Sequence, residues 1–201
     1  MTMRDLQTWL EKAIDADGRP SSDYDLNPDR PDVPDHALRP AAVLVPISAE
    51  RRTVILTKRS ARLRHHAGQI AFPGGKKDPS DATLEAAALR ESHEEIGLAP
   101  QDVTLLGSLP THETVTAFTV TPFVGLVGPQ YRPEREVGEV DEIFEVPLDF
   151  LAKPDNFRIE GRRWQGRKRY YYTAPFGPYY IWGATARILR AFADRLHDAE
   201  F

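Results

Sequence analysis

Three glutamates carry the strongest chemical signal in the chain. Glu91, Glu94 and Glu95 lie in the run RESHEEIG, spaced i, i+3, i+4. At about 100° per residue these positions share one helix face, within an arc of roughly 100°. Like charges so close destabilise an isolated helix. Three explanations are open: a solvated helix face, a site for a hard divalent cation that takes oxygen ligands, or acid–base work by coupled carboxylates.

The preceding segment narrows the choice. Residues 51–77 contain eight Lys or Arg (Arg51, Arg52, Lys58, Arg59, Arg62, Arg64, Lys76, Lys77) and two His, but no acid. This basic stretch runs into FPGG and then into the acidic helix. A cation-binding face beside a cationic loop suits a polyanionic substrate such as a diphosphate, with a metal bridging carboxylates and phosphate oxygens. Arginines would hold outer phosphates. Gly74 and Gly75 would let the backbone approach closely.

Other side chains are secondary candidates. Arg90, one turn before Glu94, is placed to orient a glutamate. Glu139, before a predicted strand, is a candidate fourth or outer metal ligand, or else a strand-edge charge. Glu113 and His112 in PTHETVT are loop candidates. His93 points off the glutamate face and reads as packing. His65 and His66 are adjacent, which does not make a chelating helical pair. RRWQGRKR contains a second basic cluster (Arg162, Arg163, Arg167, Lys168, Arg169), either a solvated hairpin or a contact for a phosphate or a second copy of the chain. Trp164 and Tyr170 to Tyr172 could stack on a base or pack into a sheet.

These residues need elements to hold them. Residues 3–14 read as a helix with Leu6, Leu10, Ala13 and Ile14 on one side. Residues 15–36 hold seven Asp, no Glu, and Pro20, Pro28, Pro31 and Pro34, which predicts an extended, poorly packed surface strap or a wrapping arm. Strands are predicted at 41–48 and 52–59, then a long Gly- and Pro-containing loop. The clearest helix is 82–96, capped by Asp81 or Thr83 and stopped by Gly97, with Leu89 and Ile96 turned to a core. Further strands are predicted at 103–109, 117–127 and 140–146. A pair around Gly166 covers 156–173, and a helix closes the chain from Gly183. This order predicts an α+β fold, a mixed sheet between helices.

Composition sets the broad class. The 201 residues suit one domain, at 41% hydrophobic and 28% charged. A net charge of −4 does not fit a general nucleic-acid binder. No apolar run approaches the length of a membrane span, and the N-terminus lacks the apolar core of a signal peptide. The absence of cysteine excludes disulfides, thiolate metal sites and a cysteine nucleophile. A cytoplasmic address is the expectation.

Residues 75–98 resemble the Nudix box, Gly-x5-Glu-x7-Arg-Glu-U-x-Glu-Glu-x-Gly-U with U bulky and apolar. Arg90, Glu91, Glu94, Glu95, Gly97 and Leu98 match its second half. There are departures: one extra residue lies between Gly75 and Arg90, and Ser92 replaces an apolar residue. The box's first Glu falls on Ala82 or, with the extra residue after it, on Asp81. Residues 56–75 also resemble the segment preceding the box in the coenzyme A pyrophosphatase branch. The matches are Leu56, Thr57, Arg59, Ser60, Arg64, Gly68, Gln69, Phe72, Pro73, Gly74 and Gly75. EVDEIFEVPL and IWGATARIL are similar to later segments of that branch. The resemblance covers residues 40–190 and leaves out the N-terminal arm, so residues 1–36 are expected as a helix and arm, and 37–201 as the Nudix domain.

That resemblance implies an α/β/α sandwich, the box as loop–helix–loop, and Mg²⁺ or Mn²⁺. It implies Glu91, Glu94 and Glu95 as metal ligands, with Glu91 the first choice of base and Arg90 supporting them. Arg59, Arg64, Gly68, Gln69, Gly74 and Gly75 are the implied substrate contacts, Arg59 and Arg64 being equally suited to anchoring the loop. The implied reaction cleaves coenzyme A to 3',5'-ADP and 4'-phosphopantetheine. Related alternatives are ADP-ribose, NADH or a dinucleotide as substrate, or a catalytically silent nucleotide-binding regulator. A homodimer is compatible with the fold; nucleic acid and membrane are not expected partners.

Overall fold

The computed structural model describes residues 2–27, 38–164 and 166–199; the side chains of Trp164 and Arg167 fall outside that description. The stacking role considered for Trp164, and the arm from 28 to 36, therefore lie outside the described residues. Helices are α1 (Met3–Asp15), α2 (Leu84–Ile96), α3 (Leu148–Leu151) and α4 (Gly183–Asp198). Strands are β1 (Ser21–Ser22), β2 (Arg39–Ser48), β3 (Thr53–Arg59), β4 (Ile70–Ala71), β5 (Gly74–Lys76) and β6 (Val103–Ser108). They continue as β7 (His112–Glu113), β8 (Phe118–Val127), β9 (Val140–Pro147), β10 (Arg158–Trp164), β11 (Arg167–Phe176) and β12 (Tyr179–Trp182).

The first nine strands form one mixed sheet, and β10–β11–β12 form a second, antiparallel sheet. At the centre β2 and β8 run parallel from Arg39↔Phe118 to Ser48↔Val127. On its other edge β2 changes partner. It pairs with β3 at Ile47 and Ser48, then with β5 at Ala41, Ala42 and Val43. The glycine pair of FPGG is thus bonded to the central strand.

Period-two alternation puts a core on each sheet face. Val45, Ile47, Val54 and Leu56 join Leu6, Trp9 and Leu10 of α1 and Ile188, Leu189 and Phe192 of α4. Ala42, Leu44 and Ile55 join Ala87, Ala88 and Ile96 of α2. The result is the predicted α/β/α sandwich. Each fully buried Leu or Ile contributes roughly 1.5–3 kcal/mol.

Several expectations change. The stretch 60–81 is not all loop, because β4 and β5 lie in or beside it. A third strand in the second sheet, β12, not among the predicted strands, precedes α4. The described part of the arm packs instead of lying loose: β1 pairs in parallel with β7, and Asn27 exchanges hydrogen bonds with the Tyr170 backbone at 2.9 Å each way. Arg195 of α4 donates to the carbonyls of Ala13, Ile14 and Ala16, satisfying the end of α1. Among the described residues no helix is long and apolar enough to cross a membrane.

Candidate active site

The glutamate helix is well fixed. Thr83 caps its start, accepting from the Ala86 N–H at 3.1 Å, and Gly97 ends it with φ of 69°. Ser92, which replaces an apolar residue, is fully buried and donates to the Ala88 carbonyl at 2.7 Å, so its hydroxyl is satisfied within the helix. The segment after β8 then wraps the helix end. Tyr131 Oη and the Glu134 N–H donate to the Ile96 carbonyl, and the Glu136 N–H donates to the Glu95 carbonyl. This wrap brings Glu139 toward the glutamate face.

The three glutamates share a face but stand at different depths. Their side chains are 19%, 57% and 3% exposed for Glu91, Glu94 and Glu95. Glu95 accepts from the Gly74 N–H at 3.2 Å and from Arg59 Nη1 at 3.4 Å. Burial raises its pKa to about 7, against the lowering effects of Arg59 and Gly74, with Glu91 and Glu139 adding to the rise. Burial also raises Glu91, opposed by Arg90.

Arg90 is the hub on the outer side. Its Nη1 donates to Glu91 at 3.0 Å and Glu94 at 2.9 Å, while Nε and Nη2 grip Asp81, each at 3.0 Å. Asp81 is held well down, to about 2, chiefly by the Arg90 hydrogen bonds. It does not cap α2; it anchors the arginine that orients two glutamates.

The glycines are required by contact. A Cβ on Gly74 would meet the Ala42 carbonyl oxygen at 2.5 Å and Val43 Cα at 2.6 Å, and its φ is +149°. A Cβ on Gly75 would meet the Glu91 carboxylate at 2.6 Å. Glycine at Gly74 lets β5 lie close on β2, and glycine at Gly75 lets it lie on the acidic helix.

A cavity of about 390 Å³ opens beside the glycines, walled by Arg59, Gln69, Lys76, Phe118 and Trp182. It shares Asp23, His66, Gln69 and Trp182 with an adjoining lobe of about 280 Å³ that reaches Arg162 and Tyr171. Of the predicted contacts, Arg59, Gln69, Gly74 and Gly75 line the first lobe. Gly68 does not; its φ of +68° turns the loop, and its N–H donates to the Arg59 carbonyl at 3.0 Å. Arg64 is exposed and outside both lobes.

Other candidates resolve differently. His93 is exposed, not packed. His112 is fully buried, with Nδ1 2.9 Å from Ser21 Oγ and Nε2 3.2 Å from Asp23 Oδ1. It fastens the arm instead of meeting a ligand. Glu113 next to it is half-buried on β7. The tyrosines divide: Tyr170 is exposed, Tyr171 meets Trp182 edge-on, and Tyr172 packs on the main core. Asp23 and Trp182 are cleft residues not singled out in the sequence, although Trp182 lies within IWGATARIL; each reaches the site through tertiary contact.

The donor set suits a hard divalent cation: oxygen ligands only, two of them against the glycine pair, and Glu139 close enough to raise both. Among the described residues no three acidic or histidine groups are already gathered on one point, because Arg59 and Arg90 hold the carboxylates.

The NUDIX domain family matches residues 38–165. The chain belongs to the Nudix family. A Nudix hydrolase called NudL from Pectobacterium atrosepticum, described as uncharacterized, is 43% identical over 167 residues, covering 82% of this chain and 86% of that protein. The protein of the same name from Citrobacter koseri is 42% identical over 156 residues, 77% of this chain and 81% of the other. Among solved structures, the MutT protein of Methanosarcina mazei Go1 aligns at 26% identity and a TM-score of 0.44, over 57% of this chain and 80% of that one. As a Nudix hydrolase the chain acts on a nucleoside diphosphate derivative, and the family generally uses divalent metals such as Mg²⁺ or Mn²⁺. Trp182 and Tyr171 lie beyond the Nudix match.

Proposed function

We propose that the protein hydrolyses the diphosphate linkage of coenzyme A or its acyl derivatives, giving 3',5'-ADP and 4'-phosphopantetheine or its acyl form. The observation that carries this is the course of residues 56–75. The segment that resembles the coenzyme A pyrophosphatase branch forms the cleft wall through Arg59 and Gln69 and ends at the glycines against Glu91 and Glu95.

Glu91, Glu94 and Glu95 would hold Mg²⁺ or Mn²⁺, with Glu139 at the outer edge. When bound, such an ion would supply positive charge against the diphosphate and would acidify a water. Arg90, fixed by Asp81, sets the angle of Glu91 and Glu94. Arg59 and Lys76 give the cleft the positive charge a diphosphate needs. Gly74 and Gly75 line the cleft while letting β5 lie close to β2 and to the Glu91 carboxylate. Glu91, beside Gly75 and partly withdrawn from water, is the choice for taking the water's proton.

The test is a substrate panel. Purified protein with Mg²⁺ or Mn²⁺ is given coenzyme A, ADP-ribose, NADH and diadenosine polyphosphates, and products are identified by mass spectrometry. Conversion of coenzyme A to the two named products is expected. Consumption of another compound with coenzyme A untouched overturns the assignment. Labelled water in the same reaction shows which phosphorus is attacked.

A further inference from the structure

We propose that the outer lobe of the cleft is a subsite for a second, monoester phosphate on the nucleoside end of the substrate, with Arg162 as the residue that selects for it. This lobe lies away from the glutamate helix. It is formed by the three-stranded sheet, the arm and the start of α4, where Asn27, Arg162, Arg169, Tyr171, Trp182 and Gly183 meet.

Two arginines face each other there. Arg162 and Arg169 are direct partners across antiparallel β10 and β11, and both line the lobe. Arg169 is engaged elsewhere, its guanidinium 5.1 Å from the Tyr24 ring centroid, so selection falls to Arg162.

Arg162 is also held ready. Its guanidinium lies 4.5 Å from the Trp182 ring centroid and 5.9 Å from that of Tyr171, and the two rings meet edge-on at 5.4 Å. Such stacking orders the side chain without using its hydrogen-bond donors. Among the described residues Arg162 has no carboxylate partner; Glu160, two positions earlier on β10, is taken by Tyr180 and Thr173. The acid in the lobe is Asp23, which accepts from the Val115 N–H at 3.0 Å and lies 3.2 Å from His112 Nε2. Its charge is therefore engaged away from Arg162.

A phosphomonoester suits this arrangement better than a base alone. A planar guanidinium with free donors matches phosphate oxygens in pairs, and the Trp182 wall shared by both lobes gives a nucleoside an apolar path between the two phosphate sites. The identity of the ligand as the 3'-phosphate of coenzyme A rests on the proposed function; the subsite itself does not.

Calorimetric titration with adenosine 3',5'-bisphosphate and with AMP tests it without turnover. Wild type is expected to bind the bisphosphate about ten- to a hundredfold more tightly. That ratio falls toward one in Arg162→Ala and is partly kept in Arg162→Lys, which also controls for disturbance of the hairpin. Equal binding of the two ligands by wild type overturns the proposal, as does discrimination that survives in Arg162→Ala. The two assignments fail separately. Bisphosphate discrimination with no hydrolysis of coenzyme A removes the substrate assignment and leaves the subsite. Hydrolysis of coenzyme A and its 3'-dephospho form with equal kcat/KM removes the subsite and leaves the reaction.

Discussion

The glutamate helix behind the glycines at the inner end of the cleft and the outer lobe of the cleft concentrate opposite charges and hold them differently. At the inner end Glu91, Glu94 and Glu95 are tied to Arg59 and Arg90, and Arg90 is tied in turn to the buried Asp81. At the outer end Arg162 leans on aromatic rings. The inner end is a bonded network packed under a strand; the outer end is a surface hairpin on which Arg162 rests against Trp182 and Tyr171. Chemistry that must hold atoms in place would suit the first, and recognition of one substituent would suit the second.

The sharpest way to break this contrast is at the buried carboxylate. Glu95→Gln keeps the side chain's shape but removes a charged oxygen donor at the inner end. A fall in kcat of about 10²-fold or more is expected, read from initial rates at saturating Mg²⁺. A loss of only a few fold would place the chemistry elsewhere.

The glycine pair separates stability from activity. Gly74→Ala forces a Cβ onto the rigid backbone of β2 and should cost roughly 1–3 kcal/mol in urea denaturation. Gly75→Ala meets only the tip of the Glu91 side chain, which can swing aside. It should leave the denaturation midpoint close to wild type while lowering kcat, since Glu91 is displaced.

Acidity gives a smaller effect with a defined sign. Folding raises the Glu95 pKa to about 7 through burial, so the folded state holds a proton that the unfolded state has released. This favours the metal-free fold at low pH, and the contribution is lost as pH rises from the ordinary glutamate range, about 4.3, through about 7. Compared with wild type, Glu95→Gln should lack that decline, and added Mn²⁺ should reduce it in wild type. Melting temperatures across pH 4–8, with and without the ion, check both. The smallest effect is expected at Arg64→Ala. That residue is exposed and lies outside both lobes, so kcat/KM should change less than about twofold.

The same division explains what could be read from the residues alone. The inner end lies largely on one helix and the turn before it, so the spacing of Glu91, Glu94 and Glu95 with Arg90 and two glycines already describes it. Local rules also place Thr83, Gly97 and α4. Three-residue β5 escapes such rules because its strand character comes from pairing with Ala41 to Val43, not from its own Gly-Gly-Lys composition. Asp81 looked like a cap because its role depends on a bond to Arg90 nine positions away. The outer end joins the arm, β10, β11 and α4. Nothing near Asp23 announces that His112 will hold it, and nothing near Trp182 announces Arg162. The arm's Asp and Pro content fits a loose strap, but pairing with β7 and the bonds of Asn27 fix its described part.

The most direct test of the central claim is Mn²⁺ binding, measured by calorimetry on wild type and on the Glu94→Gln, Glu95→Gln double variant. Wild type is expected to bind Mn²⁺, and the variant to lose at least about a hundredfold in affinity. Equal affinity in the two proteins would contradict the claim that this helix face is the cation site.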